Sequence, residues 1–174
     1  MNNINLGVWE SFKNEIRHHL NTDNINNFIN WQILRNTMIA GVDNIEFDYL
    51  SNSISWSIWE EKLNEDKLKP NSYHRFPNSS TNNVHHAYSL QRLMDYSGLK
   101  LNEFGTIIEF GGGYGNTSRL FKKWGHNNDY YIYDIEELTI IQNHYLNTNE
   151  ILDVKIITDS TKVLNVARNP LEYK

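Results

Sequence analysis

The chain has 174 residues, of which 39% are hydrophobic, 21% charged and 13% aromatic, and it carries a formal net charge of −5. That length reads as one domain, and so large an aromatic share excludes intrinsic disorder, because disordered chains lack apolar area to bury. The absence of cysteine excludes a disulfide framework, a zinc–thiolate site and a thiol nucleophile, and the acidic balance leaves room for a nucleic-acid groove only as a local patch.

No run approaches the roughly 18 consecutive apolar residues of a membrane span. Residues 1–5 lack both the basic start and the apolar core of a signal peptide. The expectation is a soluble, cytoplasmic protein with neither a membrane nor a nucleic acid as partner.

The first hundred residues read as helical. Trp9, Phe12, Ile16 and Leu20 recur at the spacing of one helix face. Thr22, Asp23 and Asn24 offer caps for a second helix, whose apolar side is Ile25, Phe28, Ile29, Ile33 and Met38, with Gly41 as its stop. A third amphipathic stretch is expected over 54–68, with Ile54, Ile58 and Leu63 facing inward and Pro70 breaking it. Residues 70–83 read as a polar loop, followed by a helix over 84–96 that ends at Gly98.

From residue 106 the pattern alternates. Strands are expected at 106–110, 130–133 and 154–157, with helices between them stopped by Gly125 and running over 136–146. Strand–helix–strand alternation is the signature of a parallel α/β sheet, and right-handed crossovers put both intervening helices on one face. Residues 163–168 could add one more short strand or helix, ended by Asn169-Pro170.

The residues that carry chemistry follow the first of these strands: Ile107-Ile108-Glu109-Phe110-Gly111-Gly112-Gly113-Tyr114-Gly115. Glycine is needed where a strand turns sharply into a helix, and its missing side chain lets a ligand lie against the backbone. Glu109, at the strand end, suits a cationic or hydroxylated ligand group. Asp134, roughly 20 residues further on and at the end of the second strand, is where an acid accepts both ribose hydroxyls. The spacing is E-x-G-x-G-x-G. The G-x-G-x-x-G register that seats a pyrophosphate fails, because its third position falls on Asn116 or Ser118. The fit is to S-adenosylmethionine, which has a ribose and no phosphate. A glycine turn without a ligand and a nicotinamide cofactor are the other readings.

Residues 109–115, together with Tyr131-Ile132-Tyr133-Asp134-Ile135-Glu136-Glu137 and Gln142-Asn143-His144-Tyr145-Leu146, resemble the sugar O-methyltransferases, class I S-adenosylmethionine-dependent enzymes. The family pattern is close to E-I/F-G-G-G-Y-G, Y-x-I-x-D-L-P-E and Q-x-x-Y-L; here Ile135-Glu136 stands in place of Leu-Pro. The resemblance covers about residues 82–159 and implies a Rossmann-like fold. It implies that Gly111 and Gly113, with the neighbouring backbone of Gly112, Tyr114 and Gly115, hold the methionine end of the cofactor. Glu109 would organise the loop or the cofactor's ammonium group, Asp134 would take the ribose diol, and Asp159 would approach adenine. Asp159 is equally placed to cap a helix beginning at Ser160-Thr161.

Methyl transfer to a sugar hydroxyl is an in-line displacement, so the protein contributes mainly positioning, and a general base adds roughly 10²–10⁴-fold. His74, His85 and His86 lie in or beside the polar loop, where they could form part of a substrate lid or be exposed or structural residues. His18, His19 and His144 fit surface or packing positions. No metal site is expected from His85-His86, because adjacent helical side chains diverge.

Residues 106–174 have room for about two βαβ units of some 30 residues each. A doubly wound sheet needs two such halves. The expectation is therefore a helical region over 1–105 that covers the substrate and, over 106–174, the N-terminal half of a cofactor-binding domain with its first strand at a sheet edge. Three explanations are open: a C-terminally truncated enzyme, which is the favoured expectation, a natural half completed by a partner or a second copy, and a degenerate remnant. The functional expectation is an S-adenosylmethionine-dependent O-methyltransferase acting on a sugar or glycan. A non-catalytic module that keeps the cofactor loop and a nicotinamide-dependent enzyme are its rivals.

Overall fold

A computed structural model of the chain describes residues 6–65 and 67–168. Helix α1 (Leu6–Thr22) buries Phe12 and Ile16 and leaves Trp9 56% exposed. The single helix expected over 25–38 is broken in two, a 3₁₀ helix at Ile25–Asn30 and α2 at Gln32–Met38. Trp31 between them is extended (ψ 130°), which swings its ring into a stack on His19 of α1, 4.9 Å between centroids. Here a tertiary contact overrides local periodicity.

Helix α3 (Asn44–Ser51) has no counterpart among the expected elements. It is opened by a capping box: Asp43 accepts from the Ile45 N–H at 2.9 Å, and Glu46 accepts from the Asp43 N–H at 3.2 Å. The stretch expected over 54–68 contracts to α4 (Trp56–Lys62). Ile54, assigned to its apolar side, is fully exposed, whereas Trp59 and Leu63 are buried. The polar loop expected over 70–83 contains a hairpin, β1 (Ser72–Tyr73) and β2 (Phe76–Ser80), paired antiparallel. Helix α5 (Thr81–Ser97) starts earlier than its apolar periodicity indicates, because the Ser80 side chain caps it by accepting from the Asn83 N–H at 3.1 Å.

A 3₁₀ turn at Leu101–Glu103 leads into β3 (Ile107–Phe110), α6 (Asn116–Lys123), β4 (Tyr130–Tyr133), α7 (Glu136–Thr148), β5 (Val154–Ile157) and α8 (Ser160–Arg168). The result is a mixed α/β architecture with a small parallel sheet in the order β3-β4-β5, Ile107 level with Tyr130 and Tyr130 with Val154. Central β4 buries Tyr130, Tyr131 and Ile132. Among the described residues β3 is an edge strand, and its last residue, Phe110, is 68% exposed. The starts of α6 and the end of α7 touch: the Tyr145 hydroxyl donates to Asn116 at 3.0 Å, so the two helices are neighbours, as right-handed crossovers require. Residues 163–168 are helical, part of α8. The stop expected at Asn169-Pro170 and the residues 1–5 lie outside the described residues.

One contiguous core draws on both sides of residue 105. Phe28 packs against Tyr114 and Tyr145, and Trp59 meets Trp124 edge-on at 4.9 Å between centroids. No helix among the described residues is long and apolar enough to cross a membrane.

Candidate functional site

The glycine loop leaves the C-terminal end of β3, the position where open parallel sheets bind ligands. Gly111, Gly113 and Gly115 take positive φ (70°, 57° and 96°), which other residues adopt only with strain. Gly112 has a different reason to lack a side chain. A Cβ there would stand 2.7 Å from Cγ2 of Ile132 and 3.3 Å from a Glu109 carboxylate oxygen. A Cβ on Gly111 would meet nothing within 4 Å, so that side of the loop is open.

The loop and Asp134 are braced by one side chain. Gln142 of α7 donates to the Gly113 carbonyl at 2.9 Å and to Asp134 Oδ2 at 2.7 Å. Asp134 Oδ1 accepts from the Ile135 N–H at 2.8 Å. Burial raises the Asp134 carboxyl above its usual range, and the Ile135, Gln142, Gly112 and Gly113 donors offset this in part. Gln142, Tyr145 and Leu146 of the Q-x-x-Y-L segment all support the loop: Tyr145 bonds Asn116, and Leu146 lies under Gly115. The sequence displays those residues but not that they converge on the glycines.

Glu109 is turned inward. The Tyr130 hydroxyl donates to it at 2.9 Å, Thr117 also bonds it, and burial pushes its carboxyl up. Tyr114 is buried and its hydroxyl accepts from Asn82 Nδ2 at 2.7 Å, so its ring packs under the loop while its polar end serves the interior. Asp159 is exposed and caps α8, accepting from the Thr161 N–H at 2.8 Å and the Thr161 hydroxyl at 2.7 Å. It is not among the residues that line the two cavities described next.

Two cavities meet at Gly111 and Asp134. The first, about 530 Å³, has Glu109 and the glycine loop on one wall and Trp9, Phe12 and Met38 opposite. The second, about 550 Å³, lies along the strand ends and touches Lys13, Arg17, Phe110, Tyr133 and Thr158. Among the described residues no lysine or arginine lines the first cavity. The cations of the second are engaged, Arg17 with Glu137 and Lys13 with Glu10. Of the histidines, His86 lines the first cavity, His85 bonds Glu46 at 3.0 Å, and His74 is exposed beside Tyr73. The cover over the loop is thus α1, the end of α2 and one residue of α5, not the 70–83 segment.

No family model, curated protein or solved structure matches this chain. The functional reading therefore rests on the site's own geometry and chemistry.

Proposed function

We propose that the chain is an S-adenosylmethionine-dependent O-methyltransferase acting on a sugar or glycan hydroxyl, with residues 106–168 forming the cofactor-binding half of a Rossmann-like class I fold. The observation that carries this reading is the glycine loop and Asp134, bound together by Gln142 at the ends of adjacent parallel strands and shared by both cavities.

The lining suits the group. A cofactor with a sulfonium and an ammonium is cationic at those centres, and the first cavity offers the carboxylates of Glu109 and Asp134 with no lysine or arginine. A pyrophosphate would meet those same carboxylates with no free cation opposite, which disfavours a nicotinamide dinucleotide. When bound, the cofactor supplies an electrophilic methyl group. Asp134 would accept hydrogen bonds from the ribose diol beside those it takes from Gln142 and the Ile135 N–H. Gly111 and Gly113, with adjacent backbone, would lie against the methionine end. Trp9 and Phe12 would supply an apolar wall opposite the loop.

Titration calorimetry with S-adenosylhomocysteine and with NADH tests the reading. The expected result is binding of the first and not the second, lost on Asp134→Ala. Transfer of labelled methyl to a panel of sugars then tests catalysis. No binding of S-adenosylhomocysteine, or preferential binding of NADH, overturns the proposal.

A further inference from the structure

A chain of buried side chains fixes the protonation of the one histidine in the first cavity. Arg119 is wholly buried and can only donate; its Nε donates to Asn116 Oδ1 at 3.0 Å and its Nη2 to Asn83 Oδ1 at 2.8 Å. The Tyr145 hydroxyl donates to the same Asn116 oxygen. Asn83 is independently oriented, because its Nδ2 donates to the Leu63 carbonyl at 3.0 Å. Asn116 therefore presents its Nδ2 hydrogens outward, one to Asn83 Oδ1 at 3.2 Å and the other to His86 Nδ1 at 3.1 Å. A ring nitrogen that accepts carries no hydrogen, so in neutral His86 the hydrogen sits on Nε2.

The polar economy of the cavity says what that hydrogen meets. Thr37 donates to the Ile33 carbonyl at 2.6 Å, Thr117 bonds Glu109, and both Asn116 hydrogens are used. His86 and Trp9 each keep a nitrogen-bound hydrogen that no hydrogen bond among the described residues uses, and His86 shares its wall with Gly111 and Glu109. A ligand carboxylate entering here finds no lysine or arginine among the described residues and is met by neutral donors.

We propose that His86 is locked by Asn116 as the Nε2–H tautomer and donates that hydrogen to the carboxylate of the cofactor's methionine end, an inference that rests on the cofactor reading above. It follows that His86 in this tautomer is not the general base, since its Nε2 carries the hydrogen and its Nδ1 is engaged by Asn116. Its neutrality fits its surroundings: burial, then the charges of His85 on its own helix and Arg119 on α6, lower its pKa to about 4.

Two measurements on the full chain decide this. In ¹⁵N-histidine NMR, with His86 assigned by its loss in His86→Phe, Nδ1 should resonate as an unprotonated imine nitrogen and Nε2 as a protonated one, unchanged from pH 8 to about pH 5. A protonated Nδ1, or titration near the ordinary histidine value, overturns the lock. Calorimetry then compares S-adenosylhomocysteine with methylthioadenosine, which lacks the amino-acid head. His86→Phe should weaken the first roughly tenfold to a hundredfold, as expected for a hydrogen bond to a charged group, and leave the second unchanged. Unchanged methylthioadenosine binding also certifies the variant's fold. Equal losses for both ligands, or none for either, overturn the carboxylate contact while leaving the cofactor reading intact. Failure of the wild-type chain to bind either nucleoside sinks the cofactor reading and the carboxylate contact together, and the NMR result still decides the tautomer.

Discussion

Gly112 and His86 set the behaviour of the site at the scale of single residues. A methyl group added at Gly112 would overlap Cγ2 of Ile132, a side chain at the centre of the sheet that cannot swing away. Gly112→Ala should therefore cost about 1–3 kcal/mol, as overpacking does, and push the loop off Glu109 and Asp134. A lowered urea midpoint with loss of S-adenosylhomocysteine binding is the expected outcome; an unchanged midpoint would show that the loop absorbs the methyl. His86 predicts a pH effect. Its folded pKa of about 4 lies below its ordinary value of 6.5, so between these pH values the unfolded chain binds a proton that the native chain does not. Native stability must then fall as pH drops from 6.5 to 4, by at most about 3 kcal/mol from this group. Glu109 and Asp134, whose carboxyl pKa values are raised, act in the opposite sense, favouring the folded state as the medium acidifies. The difference between wild type and His86→Phe isolates the histidine: wild type should lose stability relative to the variant as pH falls through that window. Parallel curves would refute a lowered His86 pKa.

Among elements, the decisive joint is between the start of α5 and α6. Arg119 of α6 and Glu65, in the segment before β1, are both buried and lie 3.8 Å apart, and Glu65 also accepts from the Ser80 N–H at 2.6 Å. Removing one partner strands the other charge without compensation, which costs roughly 3–5 kcal/mol, whereas removing both avoids that cost. Arg119→Met should thus destabilise strongly, and adding Glu65→Gln should recover part of the loss; additive losses in denaturant unfolding would mean that the two do not act as a pair. This joint also explains what the sequence could not disclose. The glycine loop, Asp134 and the three parallel strands act through consecutive or periodic residues, so their chemistry is visible where they stand. Asn82, Asn83, Ser79 and Ser80 look like surface loop residues, yet they are buried because Glu65, Tyr114, Asn116 and Arg119 satisfy them from distant positions. Asn116→His86 and Gln142→Asp134 likewise join separate elements. Polarity suggested a loop over 70–83; hydrogen bonding across the fold made it a hairpin and a helix start.

At the scale of the whole molecule, the apolar periodicity suggests a division at residue 105, helical before it and α/β after it, but packing crosses that point. Tyr114 of the glycine loop forms a three-ring cluster with Phe28 and Tyr145, and Asn82 closes on its hydroxyl. Trp59 of α4 packs edge-on to Trp124 beyond α6 while its indole N–H donates to Gln91 of α5 at 2.7 Å. Arg17 of α1 pairs with Glu137 of α7. Residues 106–168 on their own would expose the inner faces of α6 and α7 and strip Arg119 of Asn83 and Glu65, so the cofactor loop depends for its shape on the preceding segment. Cooperative unfolding follows from a shared core, because neither part retains enough buried apolar area once the other has left. The expected outcome is a single transition for the whole chain, with tryptophan fluorescence reporting the Trp59–Trp124 contact and far-ultraviolet circular dichroism reporting the helices at one common midpoint. A chain cut between residues 105 and 106 should show no cooperative transition in either fragment and no S-adenosylhomocysteine binding. Two separated midpoints in the intact chain, or a 106–174 fragment that melts sharply by itself, would mean that the sheet and its loop are stable without the helices that cover them.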